Sequence, residues 1–290
     1  MVEPPELRGP TRDQVYRRRV VALIVVGVVF GAGAWAAWAA LKSDSNAAPP
    51  PPPTTVAGPK VLQVLFPEGF TRAQMARRAD AVSPAITARG YLLATASSPL
   101  PGQFAGDGKA RNLEGFLFPS TYDLFATDGS KRLVGKQLDA FRLNWGKVKL
   151  GYARSKNLTA YDVLIIASMI EKEVIVPTER PLVAAVIYNR LHARMPLGID
   201  ATLRYGLRIP PTQAITKQDL ASNSPYNTRK LPGLPPTPIA NPGLASIEAA
   251  AHPAKVDYLY FVRKPDCRSH FFTASIDEFD AYTRKGLTDC

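Results

Sequence analysis

Val20 to Leu41 reads VVALIVVGVVFGAGAWAAWAAL, 22 residues without a charge. At about 1.5 Å per residue, a helix of that length crosses a hydrocarbon layer of roughly 30 Å. Arg17, Arg18 and Arg19 stand directly before it and Arg8 and Arg12 further back, whereas only Lys42 and Asp44 follow closely. The positive-inside bias therefore predicts a cytoplasmic tail over 1–19, a single membrane anchor over 20–41 and an extracytoplasmic body. Trp35 and Trp38 fall near the outer end, where interfacial aromatics belong. A cleaved signal peptide is the alternative, with AWAAWAA as its cleavage region. The apolar run is longer than the about 7–15 residues of a signal h-region, which favours a retained anchor.

A proline-rich linker is expected over 42–59. Its Ser43–Pro59 stretch is 17 residues long and includes a five-proline run, and at ~3.1 Å per residue it spans about 50 Å at most. A body tethered that closely reaches only material near the outer membrane face. The net charge of +12 comes from 36 Lys+Arg against 24 Asp+Glu, a balance that suits an anionic cell envelope. Outside the tail the positives are scattered, with no run denser than Arg77-Arg78 and no nucleic-acid module, so nucleic acid is not an expected partner. Cys267 and Cys290 exclude a disulfide-dense scaffold, although both lie in the oxidising compartment and are candidates to pair. His192, His252 and His270 are too far apart for a local zinc motif.

From Val61 an apolar strand leads through Pro-Glu-Gly into a helix. Thr71 is its expected N-cap, and Met75, Ala79 and Val82 mark one face. A second helix after a Thr159 cap carries Val163, Leu164, Ile165, Ile166, Met169 and Ile170, so it is apolar nearly all round and should be central. A third is expected from a Thr178 cap. Ser222 to Pro253 is a long, proline-rich segment that keeps Tyr226, Leu234, Ile239 and Leu244, and it reads as an ordered wall of a site. DYLYFVR and HFFTAS read as paired strands, followed by a helix near Ile276 to Arg284. The fold class is α+β.

The central helix ends in Glu171-Lys172-Glu173. An apolar pocket disfavours the charged carboxylate, which yields a general acid that keeps its proton near neutral pH. Protonating a glycosidic oxygen is the chemistry that most needs such a group. Positions 171 and 173 lie about 200° apart on a helix, so they cannot serve one site equally. Glu171 continues the row of Leu164, Ala167 and Ser168, whose small members leave space; Glu173 continues the bulkier row of Ile166, Met169 and Ile170. That favours Glu171 as the cleft residue, with Glu173 partnered or solvated. An ordinary helix end reaching water is the plain alternative. No G-x-S-x-G, P-loop or dinucleotide fingerprint competes.

LEGFLFPSTY, ASMIEKE, VIYNRL, IDATLRYGL, SPYNTRKLPGLPPTPIANPG and AAAHPAKVDYLYFV occur in the order found in the MltG (YceG-like) endolytic murein transglycosylases. From about Val61 to Tyr282 the chain resembles that family. The resemblance implies a LysM-like module over 60–111 and a mixed α/β catalytic domain over 112–290. It implies cleavage of MurNAc–GlcNAc bonds in peptidoglycan to leave 1,6-anhydro-MurNAc ends, with one carboxyl acting first as acid and then as base. Glu171 matches the first glutamate of the family's E-K-E. With the short tether, this points to trimming of nascent glycan strands at a bacterial cell (inner) membrane. Neither metal nor cofactor is implied; glycan strands are the expected partner, with membrane-bound cell-wall synthases as further candidates.

Asp200, Thr202 and Tyr205 match the family's D-x-T-x-x-Y-G. Asn227 and Thr228, preceded by Tyr226, match its Y-N-T, and Asn189 lies in VIYNRL. These seven are the candidate substrate-binding residues. A helix cap is the structural alternative for Asp200, and a tie to a neighbouring loop is the alternative for Asn189 and Arg190. Ser120 and Thr237 depart from the family pattern, which commonly has an acidic residue and a glycine there. His270 matches a family histidine, but a lone histidine is more often structural and it is given no catalytic role. A non-catalytic glycan-binding scaffold is the rival reading. A hydrolytic muramidase is a second rival; it would need another carboxylate, for which Asp200 is the candidate.

Overall fold

A computed structural model of the protein describes residues 12–43, 61–105, 108, 110 and 112–286. The expected linker beyond residue 43 and Cys290, the expected partner of Cys267, lie outside the described residues. The chain divides into two compact units, Met1–Ala57 and Gly58–Cys290. In the first, helix α1 (Arg12–Ser43) has 32 residues, about 48 Å of helix. Its stretch Leu23–Ala40 is long and apolar enough to cross a membrane. Trp35 and Trp38 are exposed on it.

The second unit mixes helices with two separate small sheets, an α+β arrangement. Its elements run β1 (Val61–Leu65), α2 (Arg72–Val82), α3 (Ala88–Ser97), β2 (Thr121–Phe125), α4 (Ser130–Trp145), α5 (Gly151–Ser155) and α6 (Ala160–Glu173). After these come α7 (Arg180–His192), α8 (Asp200–Leu207), α9 (Lys217–Leu220), α10 (Leu244–Ala251), β3 (Tyr260–Arg263), β4 (His270–Thr273) and α11 (Ile276–Arg284). β1 pairs antiparallel with β2, from Val61 opposite Phe125 to Leu65 opposite Thr121. This sheet takes one strand from each side of the expected module boundary at 111/112. β3 and β4 form the expected hairpin, with Tyr260 opposite Thr273 and Arg263 opposite His270.

Local chemistry explains most boundaries. Thr71 and Thr159 each close a capping box, with Gln74 and Asp162 respectively, so each satisfies orphan N–H groups at its helix start. The expected Thr178 cap is corrected. Pro177–Glu179 form a one-turn 3-10 helix, and Glu179, without a side-chain cap bond, is the N-cap of α7. α6 is the hub: every residue from Tyr161 to Ile170 is buried, and the helix packs against α7, α8 and α10. Beside it Phe104, Phe116, Phe141, Trp145 and Tyr161 form an aromatic cluster. Phe104 meets Phe116 edge-on at 4.9 Å, and Phe141 stacks on Trp145 at 5.4 Å. Such pairs add about 0.5–1.5 kcal/mol each beyond the area they bury.

Three distant segments meet at Asn241. Its Oδ1 accepts from the N–H groups of Gly115 and Leu117, both at 2.9 Å. Its Nδ2 donates to Phe70 O at 2.9 Å and to Glu114 Oε1 at 3.0 Å. Its main chain pairs with the same turn, through Gly69 N–H to Asn241 O and Asn241 N–H to Phe70 O, both at 2.9 Å. Glu114 is buried and also accepts from Arg72 N–H at 2.8 Å and the Tyr205 hydroxyl at 3.1 Å. Ser168 of α6 holds the adjoining strand of chain, accepting from Ile239 N–H at 3.0 Å.

Gly115 has φ +91°, and a Cβ there would lie 2.7 Å from Pro238 Cβ and Cγ and 3.2 Å from Leu164 Cδ2. Gly115→Ala combines backbone strain with overpacking and should destabilise by about 2 kcal/mol or more. A lower denaturant midpoint with an unchanged slope is the expected reading.

Burial pushes Glu114 up from 4.5 to about 7, against the bonds from Arg72, Tyr205 and Asn241 that favour its charge. A raised carboxyl contributes stability in full below its unfolded value and loses it as pH rises through the folded one. Glu114→Gln preserves the shape, its amide oxygen still accepts from Arg72 and Asn241, and the Tyr205 hydroxyl can turn to accept from its nitrogen. The variant should therefore gain on wild type by about 3 kcal/mol between pH 4 and pH 8. Denaturant unfolding at a series of pH values measures this; a constant difference would refute it.

Candidate active site

The three residues that close α6 each bind a different segment. Glu171 Oε2 accepts from Gly243 N–H at 3.0 Å. Gly243 is the N-cap of α10 and brings no side chain of its own to that helix start. Lys172 Nζ reaches Gly69 O at 3.4 Å, in the turn between β1 and α2. The Glu173 carboxylate accepts from Ala201 N–H, at the start of α8, whose N-cap Ile199 likewise makes no side-chain cap bond. Both carboxylates therefore lie at the positive ends of short helices that lack their own caps. The two face apart, as their helical spacing requires.

Their surroundings differ. Both glutamates are half-buried; Glu171 is flanked by two glycines, with Gly243 bonded to its carboxylate and the Gly69 Cβ position 3.5 Å from its Cγ. Gly69 takes φ +76°, a conformation that side chains disfavour. Glu173 faces Asp200, Arg263 and Arg229; burial, then the Asp200 charge, push it up to about 7 while the two arginines oppose them. Glu68, in the Pro-Glu-Gly turn, is raised by burial and by the charge of Glu171, and lowered by Arg180. The desolvated carboxyl expected from the sequence is thus found at Glu173, while Glu68 is a further carboxyl, crowded by the charge of Glu171.

Asp200 is paired with Arg229 and lies close enough to Glu173 to act on its titration. Tyr205 and Tyr226 pack with ring centroids 5.3 Å apart. The Tyr205 hydroxyl is on Glu114 and that of Tyr226 shares a 2.8 Å bond with Thr237. The departure at Thr237 thus supplies a partner for Tyr226. Ser120, exposed, continues the ladder of β1 and β2 by accepting from Phe66 N–H at 2.9 Å. Thr202, Asn227 and Thr228 are buried and bonded within the fold. The two threonine hydroxyls meet at 2.9 Å, and Asn227 Nδ2 donates to Leu220 O and Ser222 O. These three fix the wall that carries Tyr226.

Asn189 lies apart from the helix end. Its Nδ2 donates to Val256 O and Tyr258 O, and it lines a groove of about 530 Å³ with Tyr152 and Tyr188. Arg190 donates to Leu259 O and Leu197 O. Both tie α7 to neighbouring loops. His270 is buried against Glu179, Nδ1 to Oε2 at 2.7 Å, where it fastens the hairpin to the start of α7. Another groove, of about 660 Å³, runs between Gln103, Trp145 and Arg154, away from the glutamates. Among the described residues no cluster of His, Cys, Asp or Glu is placed to hold a metal ion. Glu68 and Glu114 received no role from the sequence. The signal available for each was a glutamate beside a glycine in a turn, Glu68-Gly69 and Glu114-Gly115, which is common in ordinary loops.

The profile of the YceG-like family matches residues 35–285. An endolytic murein transglycosylase of Bacillus subtilis (strain 168) is 40% identical over 176 residues, 61% of this chain and 48% of that protein. One of Streptococcus pneumoniae (strain ATCC BAA-255 / R6) is 32% identical over 227 residues, 70% of this chain and 41% of its own. The chain thus spans less than half the length of these relatives. A 2.6 Å crystal structure of a YceG-like protein from Listeria monocytogenes superimposes with a TM-score of 0.66 at 29% identity, over 76% of this chain and 75% of that one. With most of its length covered by the family profile, the chain belongs to the YceG-like family.

Proposed function

We propose that the protein is a membrane-anchored endolytic lytic transglycosylase of peptidoglycan, with Glu171 as its acid and then its base. The names of its relatives support the activity. The observation that carries the assignment within the chain is the junction at Glu171. There a half-buried carboxylate is held between two glycines, bonded to Gly243 N–H and packed against Gly69, so that it is fixed in direction while part of it still meets solvent. The Glu171 carboxyl donates its proton to the oxygen linking MurNAc C1 to GlcNAc, and the C1–O bond breaks. The carboxylate then takes the proton of the MurNAc 6-hydroxyl as O6 bonds to C1. The products are a free GlcNAc hydroxyl and a 1,6-anhydro end; no water is consumed and the proton returns to Glu171. Asp200, Tyr205 and Tyr226 are the proposed glycan contacts, on the wall held by Thr202, Asn227 and Thr228. The LysM-like module and the catalytic domain over 112–290 are part of the same proposal.

A second assignment keeps the reaction and gives the acid to Glu173, which burial raises to about 7. Separate Gln substitutions decide between them. Glu171→Gln should retain glycan binding and lose about 10²–10⁴-fold in rate, whereas Glu173→Gln should be mild. The readout is the yield of anhydro-muropeptides from purified sacculi by mass spectrometry. The reverse result moves the acid to Glu173, and reducing ends in place of anhydro ends would remove the transglycosylase reading.

We place the N-terminus in the cytoplasm and the body outside, from the Arg17–Arg19 cluster. A tether that spans at most about 50 Å then confines cutting to nascent strands and so limits their length. Replacing residues 1–41 with a cleavable export signal should leave activity on isolated sacculi intact while glycan strands in cells lengthen. An unchanged length distribution would refute the tethering role.

A further inference from the structure

The turn before α2 brings a second carboxyl to the junction. Glu68 follows Pro67 and precedes Gly69, and long-range bonds clamp this turn in place. Gly69 N–H donates to Asn241 O, Asn241 N–H donates to Phe70 O, and Lys172 reaches Gly69 O. Held there, the Glu68 carboxyl lies against Gly243: a methyl group at that residue would collide with both Glu68 oxygens and its carboxyl carbon. The N–H of the same Gly243 bonds Glu171. One small residue thus carries a carboxyl from each of two segments 103 positions apart. Any residue but glycine at 243 would force Glu68 away.

Two carboxylates crowded onto one site cannot both ionise freely, and such pairs titrate in two steps that belong to the pair. The charges that bear on Glu68 are Glu171 and Arg180. Arg180 is also bonded through Nε to Ser246 Oγ, and the Lys172 ammonium is engaged with Gly69 O. Glu171 already accepts a main-chain N–H on one oxygen, which leaves its other oxygen to carry a proton.

We propose that Glu68 is a positioning residue that forms a carboxylate pair with Glu171, the two holding one proton between them so that it is available to Glu171 when glycan binds. This rests on the transglycosylase reading and on Glu171 as its acid. The proton that Glu171 gives to the leaving oxygen and recovers from the 6-hydroxyl is then the shared one, and no other proton source is required. The one negative charge left on the pair disfavours loss of the shared proton, which extends activity to higher pH.

The test is the pH profile of kcat/KM for glycan cleavage by the full-length protein. Glu68→Gln removes the charge and keeps the shape. Its alkaline limb should fall at a pH lower by about one unit, with KM little changed. Glu68→Asp keeps the charge and should return the limb toward wild type. Glu68→Ala replaces Gln if that variant melts early, and should shift the limb the same way. A Glu68→Gln profile that coincides with wild type, or one reduced by the same factor at every pH, overturns the proposal. Failure of the underlying reading is separate and visible: Glu171→Gln would then remain active whatever Glu68 does.

Discussion

One amide side chain makes the rest of the site possible. Asn241 uses both lone pairs of its oxygen and both protons of its nitrogen on Gly115, Leu117, Phe70 and Glu114. Glu114, Gly115 and Leu117 are buried and Phe70 is partly so, and leaving a buried donor or acceptor unpaired costs about 1–3 kcal/mol. The four bonds join the turn at 69–70, the segment at 113–117 and the loop at 239–243. Neither sheet can do this work, since each has only two strands. A polar knot stands where a larger fold would have used a ladder.

The end of α6 fits onto that knot as a three-way tie. Its apolar length drives the helix into the core, and its last turn emerges among three segments that need donors or acceptors. Glu171 answers the uncapped start of α10, Glu173 that of α8, and Lys172 the Gly69 carbonyl. This explains why a buried helix ends in charge without any appeal to catalysis. It also means that a carboxylate at a helix start is by itself insufficient to mark a catalytic acid, because two are present. The contrast lies in what else reaches each one: glycine backbone and Glu68 at Glu171, an aspartate and two arginines at Glu173.

Local rules made much of this readable from sequence. The caps at Thr71 and Thr159 depend on residues three positions away, and the β3–β4 hairpin and α11 depend on nearby alternation and periodicity. The opposed directions of Glu171 and Glu173 follow from helix geometry alone. Thr178 failed as a cap because Pro177 starts a 3-10 turn that carries the chain past it. The knot was illegible for a different reason. Its bonds span 124 to 171 positions, and an asparagine before Pro-Gly looks like any turn residue. Thr202, Asn227 and Thr228 stood out as motif residues, yet motif membership does not tell an exposed contact from a buried residue that holds the chain around it.

The same long-range bonding ties the order of the site to the order of the fold. Glu171 is positioned by Gly243, Glu68 by the 67–70 turn, and both of those segments by Asn241. Such contacts form only after long loops have closed, so their entropy must be offset before they contribute. A fault in any one segment therefore reaches the others through shared partners, and effects of paired substitutions around Asn241 will not add. Glu114 shows what this arrangement demands. It is a buried carboxyl with a raised proton affinity, retained where three donors from separate segments converge on it. Its burial is unfavourable to the charge, but an acceptor with two oxygens can satisfy Arg72, Asn241 and Tyr205 at once. The fold thus bears one strained ionisation at Glu114 in order to place the Tyr205 hydroxyl and the turn that carries Glu68.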